Sequence, residues 1–382
     1  MRKYVIITCS SMLFLCSLAS SDLPAHALST SSYLPAALPF SKPADLAGER
    51  TSRWQAGEMS VSATGGESIS IKDAKGRSVE VRLPVKKLVV LTSDALEVIR
   101  ALKAEDIVVG VNTSIAKDPV FWPKFKNKPA VGRWMEPNYE LIGKLNPDIV
   151  IAYARYPGKN LEKKLAPLGI TVIRLDFYKI RTLLKEVETL GIILGKKEEA
   201  RQLIDWYQEK LELIERKSKY PGNLPDVYIE SYSKYHTTGP GSGGHEMCTL
   251  AGGHNIASDF SMPYPKITPE WVLASNPHVI IKAVSFSNCY AMTDSSSLKD
   301  MRNKIIARPT WDNIRAVKED RVYMMAGDIW TGPRAIIGII YMAKWFYPED
   351  FKGLDPKKFH REYLVRFQGI NYQGVYVYPN EN

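Results

Sequence analysis

Two stretches of the chain carry the same short pattern, and this duplication limits the folds open to it. Pro137-Asn138-Tyr139-Glu140-Leu141-Ile142 leads into Asn146-Pro147-Asp148-Ile149-Val150-Ile151, and Ile267-Thr268-Pro269-Glu270-Trp271-Val272-Leu273 leads into Asn276-Pro277-His278-Val279-Ile280-Ile281. In each copy the glutamate stands seven residues before the proline of the Asn-Pro pair. A short helix begun near the glutamate must stop there, because proline disfavours helical backbone in the residue before it, and an apolar strand follows at once. Two matching units imply two similar lobes that face each other.

The sequence around these units alternates strands with helices. Ser68 to Lys72 and Ser78 to Arg82 read as a hairpin around Asp73-Ala74-Lys75-Gly76. Leu88 to Leu91 is an unbroken apolar run of the kind a buried parallel strand needs, with a helix from Asp94 to Lys103 after it and Ser93 as its cap. Strands at Val108 to Val111, Ile149 to Ala152 and Thr171 to Leu175 alternate with helices at Asn138 to Leu145 and Leu161 to Leu168. The second set runs through Asp226 to Glu230, Val279 to Lys282 and Val322 to Met325, with helices near Glu246, Met301 and Arg334 to Tyr347. Such alternation argues for an α/β fold of two Rossmann-like lobes, each on a parallel sheet. Between the sets, Lys197 to Lys219 reads as one long helix, with Ala200, Leu203, Ile204, Tyr207, Leu211 and Ile214 on one face. At 1.5 Å per residue it reaches about 34 Å, enough to bridge two lobes. The expected parts are an export signal over 1–27, a Ser/Pro/Ala-rich tether over 28–66, an N-terminal lobe over 67–195, the bridging helix over 196–219 and a C-terminal lobe over 220–382.

With 45% hydrophobic and 24% charged residues, the chain is neither disordered, nor a coiled coil, nor a disulfide miniprotein. Its net charge of +10 is scattered, without a dense Lys/Arg run, so a nucleic-acid partner is not expected. Arg2 and Lys3 precede an apolar stretch from Tyr4 to Leu18, and Ala25-His26-Ala27 offers small residues for cleavage after Ala27. The competing lipoprotein reading would modify Cys16, but Leu15 stands where that peptidase needs a small residue. About 15 apolar residues fall short of the roughly 20 that span a bilayer. Cys248 and Cys289 remain in the exported chain, either joined as one disulfide or as two unpaired thiols.

The paired glutamate helices, the long helix, the opening hairpin, Leu250-Ala251-Gly252-Gly253-His254-Asn255-Ile256 and Phe367-Gln368-Gly369-Ile370-Asn371-Tyr372 together resemble one family. It is the class of ABC-importer substrate-binding proteins that capture iron-siderophore, haem and cobalamin complexes, and the similarity runs from Ser68 to the C-terminal region. The resemblance implies two lobes joined by a rigid helix, a ligand cleft between them and little hinge motion. It also implies an exported monomer, free or tethered at the outer face of the cytoplasmic membrane, that carries no cofactor and no catalytic residues. Glu140 and Glu270, otherwise readable as ordinary first-turn acids, match the acids that dock on arginines of the two permease subunits.

In open α/β sheets ligands bind beyond the C-terminal ends of the strands. The loops there offer Thr92, Ser93 and Asp94; Asn112 and Ser114; Arg133 and Trp134; Tyr153, Arg155 and Tyr156; Tyr232, Tyr235 and His236; Ser285-Phe286; and Trp330 and Arg334. Each aromatic residue also has a plain packing reading and each arginine a structural ion-pair reading. Taken as a lining, the set is aromatic and basic, which suits a large anionic ferric chelate. Corrinoid, haem, molybdate and tungstate are the alternatives within the class. Gly239-Pro240-Gly241-Ser242-Gly243-Gly244 is a glycine-rich stretch that could bring backbone close to an oxyanion, though it lacks the Lys-Ser/Thr ending of a phosphate loop. No metal site is expected; His236 and His245 are the only weak candidates, since isolated histidines are more often structural. With no GxSxG elbow and no HExxH in the sequence, an exported transferase is the distant alternative.

Overall fold

Asn146 and Asn276 end their helices in the left-handed conformation, at φ 46° and 41°. The computed structural model describes residues 62–64, 68–217, 224–285 and 289–379. In it the two repeats adopt one local structure. The helices Tyr139–Leu145 and Pro269–Ser275 have seven residues each and are capped by the side chains of Asn138 and Thr268, which accept from the backbone N–H of Leu141 and Trp271. The fully buried strands β6 (Ile149–Ala152) and β10 (Val279–Val284) come next. The expected signal over 1–27 and most of the expected tether lie outside the described residues.

The duplication extends to whole sheets. With β4 (Leu88–Val90), β5 (Val108–Val111) and β7 (Thr171–Arg174), β6 forms a parallel sheet in the order β5-β4-β6-β7. With β8 (Asp226–Glu230), β9 (His254–Asn255), β11 (Val322–Ala326) and β12 (Val377–Tyr378), β10 forms a second sheet in the order β12-β11-β10-β8-β9, antiparallel only at β12. In both, the strands that build the lobe run second, first, third, fourth by chain order. The topological switch point therefore falls between the first and third strands of each lobe, and the chain leaves the sheet there on both sides of a crevice.

The opening hairpin, β2 (Ser68–Lys72) and β3 (Ser78–Arg82), pairs antiparallel, with β1 (Ser62–Thr64) on the other edge of β2. Asp73 holds its turn by accepting from the backbone N–H of Lys75 and Arg77. Arg77 then reaches Glu162, which also meets the fully buried Arg174 at 2.7 Å. Arg174 donates to the carbonyls of Tyr153 and Pro157, so this network fixes the loop after β6.

The long helix spans Lys197–Lys217, and its buried face is that read from the sequence with Trp206 added and Ile204 only half-buried. It packs along the helix Ile180–Ile193 and against the helix Ala335–Phe346. The latter is buried on nearly every side, including a stack of Trp345 on Tyr323 with ring centroids 4.4 Å apart. Cys248 and Cys289 are both buried free thiols, so the disulfide alternative does not hold.

Gly338 lets this central helix approach the backbone before it: a Cβ there would lie 2.2 Å from the Ile329 carbonyl oxygen. Gly338→Ala is expected to lower stability by about 1–3 kcal/mol, the cost of overpacking a filled core, read as a reduced midpoint in chemical denaturation with an unchanged slope.

Candidate functional site

The first residues beyond β4 begin the helix Ser93–Ala101, capped by Thr92, whose hydroxyl accepts from the Ala95 N–H. Two carboxylates, Asp94 and Glu97, follow one turn apart on this helix. Opposite, β11 runs straight into the short helix Gly327–Trp330 and then into Pro333 and Arg334. Between these segments lies a cavity of about 320 Å³, within the size range of small-molecule sites. Its walls include Ser93, Asp94, Glu97, Asp118, Phe121, Trp122, Tyr153, Tyr232, Tyr290, Asp328, Thr331 and Arg334.

The electrostatics differ from the basic lining expected above. Among the described residues that line the cavity, four are carboxylates and one is a base. That base, Arg334, places Nε 3.0 Å from Glu97 of the N-terminal lobe and Nη1 3.6 Å from Asp328 of its own lobe. Burial works against its charge, but Glu97 and Asp328 more than offset it and push its pKa up. Asp94 accepts a 2.8 Å hydrogen bond from the Tyr153 hydroxyl. Burial raises Asp94 to about 7; the Tyr153 bond and Arg334 oppose the rise, while Glu97 and Asp176 add to it. Burial also raises Asp328. Burial thus makes Asp94 and Asp328 harder to ionise than free carboxylates until a positive group enters.

Of the residues named from the sequence, Ser93, Asp94, Tyr153, Tyr232 and Arg334 line this cavity. Thr92 and Asn112 are buried helix caps, and Asn112 also donates to the Leu91 carbonyl. Ser114 is exposed, its N–H bound by Asn112. Arg133 is exposed and pairs loosely with Glu136 at 3.8 Å. Trp134 meets Tyr153 and Tyr156 edge-on, each at 5.6 Å, so Trp134 and Tyr156 form an exposed aromatic rim beside the cavity, and Arg155 stands exposed in the same loop. Tyr235 packs on Trp311 and under Arg308 in the second lobe's core. His236 contacts the Lys234 carbonyl, and His245 contacts Asn255; neither lines the cavity. Trp330 is a core residue, 3% exposed, because its ring fills the space at Gly244, where a Cβ would lie 2.4 Å from it. The glycine-rich stretch therefore serves close packing: Gly239 is equally hemmed in by the Met262 carbonyl, at 2.6 Å from its Cβ position. Phe286 lies outside the described residues, and among those described no group of three or more metal-ligating side chains comes together.

Sequence reading missed Glu97, Asp118, Phe121, Trp122 and Tyr290 as cavity residues. For Glu97 a signal existed, since it sits one helical turn after Asp94 and so shares its face. The 118–122 stretch gave none, as it follows no strand.

Glu140 and Glu270 are exposed in the first turns of their helices, at equivalent places in the two lobes, and Glu140 also pairs with Lys144 at 2.6 Å. Residues 88–328, from β4 into the short helix after β11, match the periplasmic binding protein family. The chain belongs to that family. A curated relative of the binding protein, an uncharacterized ABC transporter substrate-binding lipoprotein YvrC of Bacillus subtilis, is 29% identical over 293 residues, covering 74% of this chain and 87% of its own. A vitamin B12-binding protein of Salmonella paratyphi A is 29% identical over 163 residues, 42% of this chain and 60% of the relative. Among solved structures, the TroA-like periplasmic binding protein FepB of Veillonella parvula superposes with a TM-score of 0.68 at 24% identity, over 81% of this chain and 98% of that one. MolA of Haemophilus influenzae bound to molybdate gives 0.66 at 21% identity, over 80% and 99%. The two-lobed fold is thus shared across proteins whose named ligands differ. Among the described residues no helix is long and apolar enough to cross a membrane, and the names of these similar proteins include an ABC transporter substrate-binding lipoprotein and periplasmic binding proteins.

Arg334→Met would leave Glu97 buried without its partner, so a loss of about 3–5 kcal/mol is expected from equilibrium unfolding. Adding Glu97→Gln to that variant is expected to recover part of the loss, because the orphaned charge is gone.

Proposed function

We propose that this binding protein captures a metal chelate with a positively charged or donor-rich outer surface and hands it to the permease of an ABC importer outside the cytoplasmic membrane. The observation that carries the reading is the four-to-one excess of carboxylates over bases on the cavity walls. Five aromatic rings, those of Phe121, Trp122, Tyr153, Tyr232 and Tyr290, supply flat apolar and cation-binding surface around these acids. A vitamin B12-binding relative supports a chelate as the ligand class. An oxyanion such as molybdate or tungstate, or a strongly anionic ferric catecholate, would meet walls with four carboxyl groups and one arginine already committed to Glu97 and Asp328. Among siderophore-type complexes the walls therefore favour ferric trihydroxamates that carry a pendant ammonium. The protein's role is recognition, by a cleft state that the ligand favours over the open one, and the energy of transport comes from the importer's other subunits.

The probe is a ferric trihydroxamate with a free ammonium, compared with the same chelate after N-acetylation. Calorimetry is expected to show the ammonium form binding at least about tenfold more tightly; tighter binding of the neutral form, or of an anionic catecholate, would overturn the assignment. Asp94 supplies a pH signature. Its proton must leave before it can pair with the ammonium, so affinity is expected to fall as pH drops below about 7, and Asp94→Asn is expected to flatten that slope.

Glu140 and Glu270 act in this proposal as docking acids, one per lobe, for bidentate contacts with permease arginines. The double variant Glu140→Arg/Glu270→Arg is expected to abolish uptake by cells while leaving chelate affinity in solution unchanged. Lost affinity would place these side chains in ligand capture instead.

A further inference from the structure

The aromatic pair Phe121 and Trp122 has a second side. Behind it lies another hollow, of about 230 Å³, whose charge is opposite to that of the ligand cavity. Its charged lining consists of Arg100, Lys103, Lys124, Arg366 and a single acid, Glu105. Glu105 is already engaged, since Lys124 donates to it at 2.8 Å.

Arg100 marks this hollow as more than a surface dip. It is 5% exposed, with its guanidinium carbon 4.5 Å from the Phe121 ring centroid and 4.3 Å from that of Trp122. Nε donates to Gln368 and Nη1 to the Phe121 carbonyl, both at 2.6 Å, whereas Nη2 has no hydrogen-bond partner. A buried cation with an unmet donor is expensive, and an anion in the hollow would offset its charge across a short distance even though the shielded donor itself stays unmet. Burial pulls the Arg100 guanidinium down to about 10, with Glu97 opposing, which is the direction expected of a charge whose counter-ion is not supplied in full. Apolar surface from Pro123, Phe367 and Ile370 completes the walls. The last two belong to the Phe-Gln-Gly-Ile segment, whose glutamine anchors the site by accepting from Arg100 and donating to the Glu97 carbonyl.

We propose that this hollow is a second binding site, for a small organic anion: a carboxylate or phosphate on a short apolar body, held by Lys103, Arg366 and the field of Arg100. The assignment does not depend on the identity of the transported chelate. The opposite charge of the ligand cavity separates the two sites experimentally.

Phenyl phosphate and inorganic phosphate serve as probes of the full-length protein, titrated by calorimetry and by Trp fluorescence, which Trp122 would report. Lys103 and Arg366 are exposed, so Lys103→Ala/Arg366→Ala keeps the fold, as its unchanged thermal midpoint would verify. The expected result is saturable binding, tighter for phenyl phosphate than for phosphate, weakened about tenfold or more in the double variant and unaltered in Asp94→Asn. Absence of saturable binding, equal affinity in the double variant, or loss of binding in Asp94→Asn would each overturn the proposal. Equal affinity for the two probes would remove the apolar part of the assignment.

Discussion

The ion pair between Arg334 and Glu97 sets the terms for the rest of the molecule. It joins the residue that precedes the second lobe's helix Ala335–Phe346 to one on the first lobe's first helix, and both side chains are buried. Charges removed from water must stay paired, so this contact fixes the distance between the two sheets at the floor of the crevice. Neighbouring bonds brace it. Tyr207 on the long helix donates to the Pro333 carbonyl at 2.6 Å, and Glu246 of the second lobe accepts from the Arg181 N–H at the start of the helix Ile180–Ile193. The rigid connection between lobes is thus made of polar contacts at fixed points as well as of helix packing.

From that pair follows the character of the cavity. Arg334 is committed to Glu97 and Asp328, so it is poorly placed to attract an anion, and Asp94 beside it is neutralised in part by its own raised pKa. An arginine in a binding cleft need not indicate an anionic guest. Its nearest carboxylates decide, and here they outnumber it.

The fold was legible because its signals are local. Apolar runs such as Val279 to Ile281 mark buried strands, Asn138 and Thr268 mark helix starts, and the repeated Asn-Pro stops mark matching units in two lobes. The short strands β9 and β12 were not legible, since two residues carry no period. The cavity was legible only in part. Strand-end reasoning found Ser93, Asp94, Tyr153, Tyr232 and Arg334. It overvalued Arg133 and Arg155, which face solvent, and Trp330, which burial claims for the core. It missed Phe121, Trp122 and Tyr290 because tertiary packing alone brings those loops to the crevice; Phe121 and Tyr290 meet edge-on at 5.2 Å. Side-chain direction and counter-ion placement are settled by three-dimensional neighbours, and one-dimensional spacing does not encode them.

Guanidinium groups reach the Phe121 ring from two regions, Arg100 at 4.5 Å and Arg334 at 4.6 Å. Phe121 thus carries two cation–π contacts at once, one from each of two buried arginines. An aliphatic side chain at this position would therefore strip an aromatic partner from both arginines together.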